Sequence, residues 1–396
     1  MASPRTTLAI SISSLFVVGI LSGALGPFLP QLAARLGLPV DALGALFTAL
    51  FLGALSMQVF GGWLNERVGL RNMVLAGVAL VALGIFGITV STTLPTLLGC
   101  ALLAGAGQGT LDVSTNVLVP AVFQGRAVVA AVNLLHFAFG AGAVMSPLLT
   151  TLALETWGTP MPILWIAAAL GFATLAAGFR WLLQASTGPS EGARRGKPGS
   201  LYRRPVLWFL SLLLFLGVGV EMGVGGWTTV YVERTTSLGV GAVAWLVSGY
   251  WLALTGGRLL GAVAGARLTA PVLARIAILG ACAGSTTLLL GAGSVPLTIL
   301  GTVVMGTSIG PIFPTVVVLG TEAFPSAPSR AVSVIIATSS LGGMLLPPLQ
   351  GLLLQRVAPA ASVAEVAAAC LGSLALLVAI ERAGRRERTA SGAPSH

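Results

Sequence analysis

Long apolar runs separated by short polar segments are the main pattern of this chain. Each run holds about 20 residues, which is enough for a helix to cross about 30 Å of hydrocarbon. Twelve such runs recur, so the pattern predicts an all-α membrane protein with twelve transmembrane helices. The predicted helices cover residues 7–29, 42–63, 73–91, 94–119, 128–150, 160–183, 206–231, 241–264, 273–292, 296–319, 331–354 and 362–380.

One long polar stretch interrupts this pattern, at residues 184–205, and it is rich in Gly, Pro, Ser and Arg. Such a composition is typical of a solvated linker. It divides the chain into an N-terminal six-helix bundle, residues 1–183, and a C-terminal six-helix bundle, residues 206–382. Residues 383–396 are predicted to form a cytoplasmic tail.

The two halves repeat each other at an offset of about 200 residues. A duplicated six-helix unit explains these matches, and the halves should form two pseudo-symmetric bundles with the substrate near the midplane between them. The matched residues are Gly19, Gly23 and Gly26 with Gly219, Gly223 and Gly226; Gly61, Arg67 and Gly84 with Gly261, Arg267 and Gly284; and Pro95, Gly105 and Gly109 with Pro296, Gly306 and Gly310.

Composition agrees with a membrane protein, because only 8% of the residues are charged and 56% are hydrophobic. The net charge of +10 has a topological explanation and needs no nucleic-acid partner. Arg35, Arg234 and Arg356 fall on one side and Arg258 lies within a helix, which leaves the other 17 of the 21 Lys and Arg residues on the opposite side. The positive-inside rule makes that side, and both termini, cytoplasmic.

Polar residues inside the fourth and fifth apolar runs are the candidates for function. Gln108, Asp112 and Asn116 recur at a spacing of four, and Asn133 and His136 at a spacing of three, so each set lines one helix face. An ionisable group at mid-membrane costs about 2.5–3.5 kcal/mol on insertion scales and usually serves function. We therefore predict Asp112 as a proton-coupling residue.

The other four side chains are predicted to bind substrate, because amides and imidazole can hydrogen-bond sugar hydroxyls. Counting along the antiparallel helices places Asn133 and His136 at the depth of Asp112. The alternative for His136 is that it only satisfies the Asp112 carboxylate.

The C-terminal half offers a second set of candidates. Glu221 is predicted to couple protons, to bind substrate or to pair with a polar region. Arg258 is a candidate gating residue through an ion pair with Asp112, or it extends to the headgroups. Trp227 and Tyr250 are predicted to stack on a sugar ring, and an interfacial anchor is the alternative for Trp227.

The segment Gly62-Trp-Leu-Asn-Glu-Arg-Val-Gly69-Leu-Arg71 lies between the second and third helices. It resembles the G-x-L-a-D-R-x-G-R-K motif of the major facilitator superfamily. That resemblance implies a cytoplasmic hinge in which Glu66, Arg67 and Arg71 take part in gating, and it implies the major facilitator fold for the whole chain.

A narrower resemblance concerns helices four, five and seven. The runs from Gly105 to Asn116, from Asn133 to Pro147 and from Glu221 to Trp227 resemble the fucose–galactose–glucose:proton symporter group. The resemblance implies that Asp112 matches that group's helix-four acid, linked to proton coupling and sugar binding. This chain has Gly26 where the fucose permeases carry an acid near the end of the first helix.

The sequence carries no phosphate-binding loop, no metal-ligand cluster and no triad context, so it predicts neither an enzyme nor a cofactor or metal. We predict a monomeric multi-pass transporter in the lipid bilayer of a bacterial inner membrane. It would move a small polar solute, a sugar, together with a proton by alternating access. The alternatives are proton-driven efflux of sugars or drug-like compounds, and a transporter-like ligand sensor.

Overall fold

A computed structural model describes residues 3–38, 43–183, 201–238 and 240–390. The described residues form helices joined by short turns, without strands. The helices are α1 Pro4–Leu36, α2 Gly44–Val68, α3 Leu70–Val90, α4 Leu94–Val122, α5 Arg126–Trp157, α6 Met161–Leu183, α7 Pro205–Thr235, α8 Val240–Gly265, α9 Ala270–Leu290, α10 Val295–Ile309, α11 Ile312–Ala323, α12 Pro328–Arg356 and α13 Pro359–Ala390.

Every predicted apolar run is helical, and the all-α prediction is confirmed. Over the described residues, eleven spans are long and apolar enough to cross a membrane. The run predicted at 241–264 is the helix α8, which is not among the eleven and which contains Arg258. The run predicted at 296–319 is divided at Gly310-Pro311 into α10 and α11, although together they make one span, Val295–Ala323.

The helix ends differ from the prediction in several places, most of all in the last helix. The last helix continues to Ala390, past the predicted end at 380 and into the predicted tail, because Ala, Arg and Glu are good helix formers. Residues 184–200 of the predicted linker and residues 391–396 of the tail lie outside the described residues.

Helix α4 carries the main candidates, and local sequence fixes where it begins. Thr93 and Thr96 form a capping box, and Pro95 sits in the first turn, where its missing N–H costs nothing. Gly69 caps the C-terminus of the neighbouring α2, with φ +91° and its N–H donated to the Asn65 carbonyl. This turn separates α2 from α3. Positive φ favours glycine at this turn.

Glycines bring α2 and α4 close together at Gly105 and Gly109. A Cβ atom at either glycine would collide with a backbone carbonyl of α2, that of Leu50 or of Ala54. Gly107 faces the other way, against α3 at Val81. Small residues therefore hold α4 between two neighbours, as is common in membrane helix packing.

The same contacts recur in the second half of the sequence. Gly306 and Gly310 of α10 and its C-terminal cap face the carbonyls of Tyr250 and Leu254 in α8. Tyr250 and Leu254 lie 200 residues after Leu50 and Ala54, so the internal repeat is present in packing as well as in sequence.

Gly105→Ala is expected to lower the thermal unfolding midpoint clearly, because the new methyl group meets a backbone carbonyl that cannot rotate away. Overpacking of this kind costs about 1–3 kcal/mol. Gly99→Ala is the matched control on the same helix, since a methyl group added there would meet nothing within 4 Å. Equal midpoints for the two variants in detergent would contradict the close packing of α2 and α4.

By its contacts the described chain forms two units. The first contains residues up to 124 and from 134 to the end of α6, and the second contains residues 125–133 and all helices from α7 onward. The start of α5 therefore clusters with the second unit, where Val129 packs on Gly265 of α8.

Candidate functional site

Asp112 lies in the interior of α4, far from both helix ends, and its carboxylate faces α2. Gln58 Nε2 donates a hydrogen bond to Asp112 Oδ2 at 3.1 Å. Gln58 is itself buried, with 6% of its surface exposed. Within the described part of the chain, Asp112 forms no ion pair. A carboxylate inside an apolar helix is thus held by a neutral amide.

Asn116 connects Asp112 to His136, and both Asn116 and His136 are buried. The Asn116 Nδ2 donates to the Asp112 backbone carbonyl at 2.7 Å, and Asn116 Oδ1 lies 3.0 Å from His136 Nε2. Because the amide nitrogen is already turned toward a carbonyl, its oxygen must accept from His136, and Nε2 carries a proton. The structure brings these three predicted residues together, with Asn116 between the other two.

Gln108 and Asn133 each keep an open acceptor. Gln108 Oε1 is buried one turn before Asp112 and has no hydrogen-bond partner among the described residues. Asn133 Nδ2 donates to the Val129 carbonyl, and its Oδ1 has no partner in the described structure. Asn133 belongs to the second unit, where it lies against Gly261, and its place at the depth of Asp112 stays a prediction.

Glu221 and Arg258 form an ion pair between α7 and α8. Arg258 Nη2 lies 2.9 Å from Glu221 Oε1, and the two residues expose only 5% and 6% of their surface. Sequence reasoning considered Asp112 as the partner of Arg258; in the structure the carboxylate on its guanidinium is that of Glu221. A pair this well buried is held by its own charges and hydrogen bonds.

The two aromatic residues predicted to stack on a sugar have packing partners within the second unit. Tyr250 is fully buried in an apolar cluster of the second unit, and its hydroxyl donates to the Glu221 backbone carbonyl at 3.0 Å. Trp227 Nε1 donates to the Pro347 carbonyl at 2.7 Å, and the indole ring covers Gly351. Their polar atoms are therefore used by backbone carbonyls.

The predicted hinge residues surround the turn at Gly69. Glu66 and Arg67 are exposed in the last turn of α2, and Arg71 is half-buried in the first turn of α3. The Arg67 guanidinium lies 4.0 Å from the centre of the Trp63 ring, a cation–π contact. Gating by these residues stays a prediction.

Gln58 is the site residue that sequence reasoning missed. It is a polar residue inside the apolar run of α2, and it stands 200 residues before Arg258, so the internal repeat could have singled it out. Glycines match on either side of this position, at Gly26 and Gly226 and at Gly61 and Gly261, but a glutamine and an arginine do not look alike at matched positions.

The arrangement in the first unit can bind a cation and hydroxyl groups. An ionisable group inside a membrane-spanning helix usually serves function, so Asp112 is suited to gaining and losing a proton or to binding a small cation. Gln108 Oε1 can accept a hydrogen bond from a ligand hydroxyl. Over the described ranges no cluster of three or more His, Cys, Asp or Glu side chains could hold a metal ion.

Comparisons with known proteins place this fold and site in context. The model of the Major Facilitator Superfamily matches residues 12–325. Bypass of stop codon protein 6 of Saccharomyces cerevisiae is 26% identical over 382 residues, covering 87% of this chain and 76% of that protein. The sodium-dependent glucose transporter 1A of Mus musculus is 26% identical over 384 residues, covering 85% and 87%. The glucose/mannose transporter GlcP of Bacillus subtilis is 25% identical over 367 residues, covering 88% of each chain.

A solved structure is similar in fold. The E. coli fucose:proton symporter FucP superposes with a TM-score of 0.78 over 96% of this chain and 99% of that one, at 15% sequence identity. The family model covers the sequence from α1 to the end of α11, which includes every helix around Asp112. This chain therefore belongs to the major facilitator superfamily, as a multi-pass membrane transporter and not an enzyme.

Proposed function

We propose that this protein is a secondary active transporter that carries a sugar together with a proton by alternating access. The observation that carries the proposal is the half-buried carboxylate of Asp112, held by the neutral and buried Gln58 in the interior of a membrane-spanning helix. A carboxylate in that setting is most stable when a proton or another small cation neutralises it. Transport of the cation down its gradient then drives the solute.

Hydrogen-bonding groups near Asp112 support a polar substrate. The open acceptor Gln108 Oε1, the Asn116 amide and the His136 imidazole line the same part of the first unit. Sugars present many hydroxyl groups that both donate and accept hydrogen bonds. Relatives named as glucose and glucose/mannose transporters support the same substrate class.

The distribution of basic residues supports the orientation that we propose. Both termini and the basic loops would face the cytoplasm of a bacterial cell, with the transporter in the inner membrane. We propose that it works as a monomer, because each chain carries its own Asp112 site.

Purified protein reconstituted in liposomes tests this function. Hexoses, pentoses and other small polar solutes are added outside liposomes that contain a pH-sensitive dye. We expect acidification of the lumen with one sugar and none in empty liposomes. Sugar uptake that occurs in Na⁺ buffer but not in choline buffer, and without acidification, would show that Na⁺ is the coupling ion instead of the proton. Na⁺ is the second candidate because a relative is named as a sodium-dependent transporter.

Two other outcomes would overturn symport. Alkalinisation of the lumen when sugar or a drug-like compound is added outside would indicate proton exchange, and hence an efflux transporter. Saturable binding of one ligand per chain, with no accumulation in the liposomes, would indicate a sensor.

A further inference from the structure

We propose that each transport cycle uses a single coupling cation, bound at Asp112 and positioned by Gln58, because Arg258 serves as a permanent internal cation for Glu221. This inference rests on the proposed function and refines it. It removes Glu221 from the proton-coupling role that the sequence suggested, and it gives Gln58 a role that the sequence did not suggest.

The internal repeat places Gln58 and Arg258 at matching positions. Leu50 and Ala54 of α2 contact glycines of α4, and Tyr250 and Leu254 of α8 contact the matching glycines of α10 and its C-terminal cap. Gln58 and Arg258 follow Ala54 and Leu254 by one helical turn. In each half the residue at this place binds a carboxylate inside the helix bundle, the half-buried one of Asp112 or the buried one of Glu221.

The two carboxylates differ in what neutralises them. Arginine keeps its proton under all physiological conditions, so the Arg258–Glu221 pair is neutral without any added ion. The Gln58 amide donates a hydrogen bond to Asp112 but brings no charge. Only the Asp112 site therefore requires a cation when it is enclosed away from water.

A glutamine is also chemically suited to a carboxylate that changes its charge. Its NH₂ group donates to the carboxylate, and after rotation of the amide its oxygen can accept from the protonated acid. An arginine has donors only, so it would favour the charged carboxylate at all times. Gln58 can thus hold Asp112 in place in both states, which makes it a positioning residue.

Other charged groups lie at the ends of the helices packed on α4. They are Arg5 and Arg35 of α1, Glu66 and Arg67 of α2, and Arg71 of α3, and on α5 the nearest titratable group is His136, joined through Asn116. On α7 and the helices packed on it, the charged groups besides Glu221 and Arg258 are Glu233 and Arg234 near the end of α7, Glu322 of α11, Arg330 and Arg356 of α12, and, on α13, Glu365, Glu381, Arg382, Arg385, Arg386, Glu387 and Arg388. Glu221 forms its ion pair with Arg258, and the other ion pair described, Arg275–Glu381, does not involve Glu221.

The test follows the carboxylic-acid infrared absorption of purified protein during an acid titration without substrate. The Asp112 signal is the absorption that Asp112→Asn removes. We expect it to remain in the double variant Glu221→Gln/Arg258→Gln, which turns the second pair into two amides. Gln58→Arg gives the first unit the residue that Arg258 provides in the second, and we expect this variant to lose the Asp112 signal across the neutral pH range. Gln58→Lys is the second variant if Gln58→Arg does not fold. A parallel titration with NaCl measures the same site if the cation is Na⁺.

If the wild type shows a second carboxyl signal that the double variant lacks, Glu221 also takes up a proton. That result would overturn the single-cation proposal. Persistence of the Asp112 signal in Gln58→Arg would overturn the role of Gln58. Failure of the wild type to move any sugar in liposomes would instead reject the proposed function, and the titration would still decide how many carboxylates change charge. In the transport assay the double variant should keep the wild-type ratio of cation to sugar.

Discussion

Asp112→Asn is expected to abolish accumulation of sugar against its gradient while exchange of labelled for unlabelled sugar continues. The amide has the size of the acid and can still accept from Gln58, and the backbone carbonyl that binds Asn116 is unchanged, but the amide cannot take up a proton as the carboxylate does. A potential of about 100 mV acting on one proton supplies about 2.3 kcal/mol. That energy corresponds to about 50-fold accumulation, and all of it should be lost.

The measurement is the steady-state ratio of labelled sugar inside and outside liposomes, with a potassium diffusion potential imposed. Glu155→Gln is the matched control, because it changes an exposed acid near the end of α5 to its amide. We expect wild-type accumulation in the control and a ratio of one in Asp112→Asn. Undiminished accumulation in Asp112→Asn would exclude this carboxylate as the coupling site.

The apolar pattern was sufficient to predict where the membrane helices lie. Inside a bilayer each backbone group must be satisfied within its own segment, so an apolar run of membrane length has few alternatives to a helix. The close approach of α4 to its neighbours occurs at glycines, because only small residues allow it. Helix ends were less predictable, as α13 shows by continuing to Ala390.

Partners of the polar side chains could not be predicted from spacing along one helix. Spacing placed Gln108, Asp112 and Asn116 on one face, but the partner of Asp112 comes from α2, through Gln58. Depth matching could not choose between Asp112 and Glu221 as the carboxylate beside Arg258, because it gives position along the membrane normal and says nothing of rotation about the helix axis. Aromatic residues near a polar group look like a sugar site in sequence, yet Tyr250 and Trp227 bind backbone carbonyls.

Glu221→Gln alone is expected to destabilise the protein strongly, whereas Glu221→Gln/Arg258→Gln should recover most of the loss. The single change leaves a charged guanidinium buried without a carboxylate, and breaking a buried pair in this way costs about 3–5 kcal/mol. The double change removes both charges, and two amides can hydrogen-bond each other in their place. The measurement is the thermal unfolding midpoint in detergent.

An exposed ion pair on the same unit is the matched control. Arg275 and Glu381 join α9 to α13 at 2.6 Å, but the Arg275 side chain is 51% exposed. Because water screens such a pair, Glu381→Gln should change stability by no more than about 1 kcal/mol. If Glu221→Gln were as mild as Glu381→Gln, Arg258 would reach solvent or another partner when Glu221 is lost, and it could no longer be regarded as the fixed cation of the second unit. A large loss in the single variant with recovery in the double would instead show that Glu221 balances the charge of Arg258, which supports Asp112 as the carboxylate that depends on a transported cation.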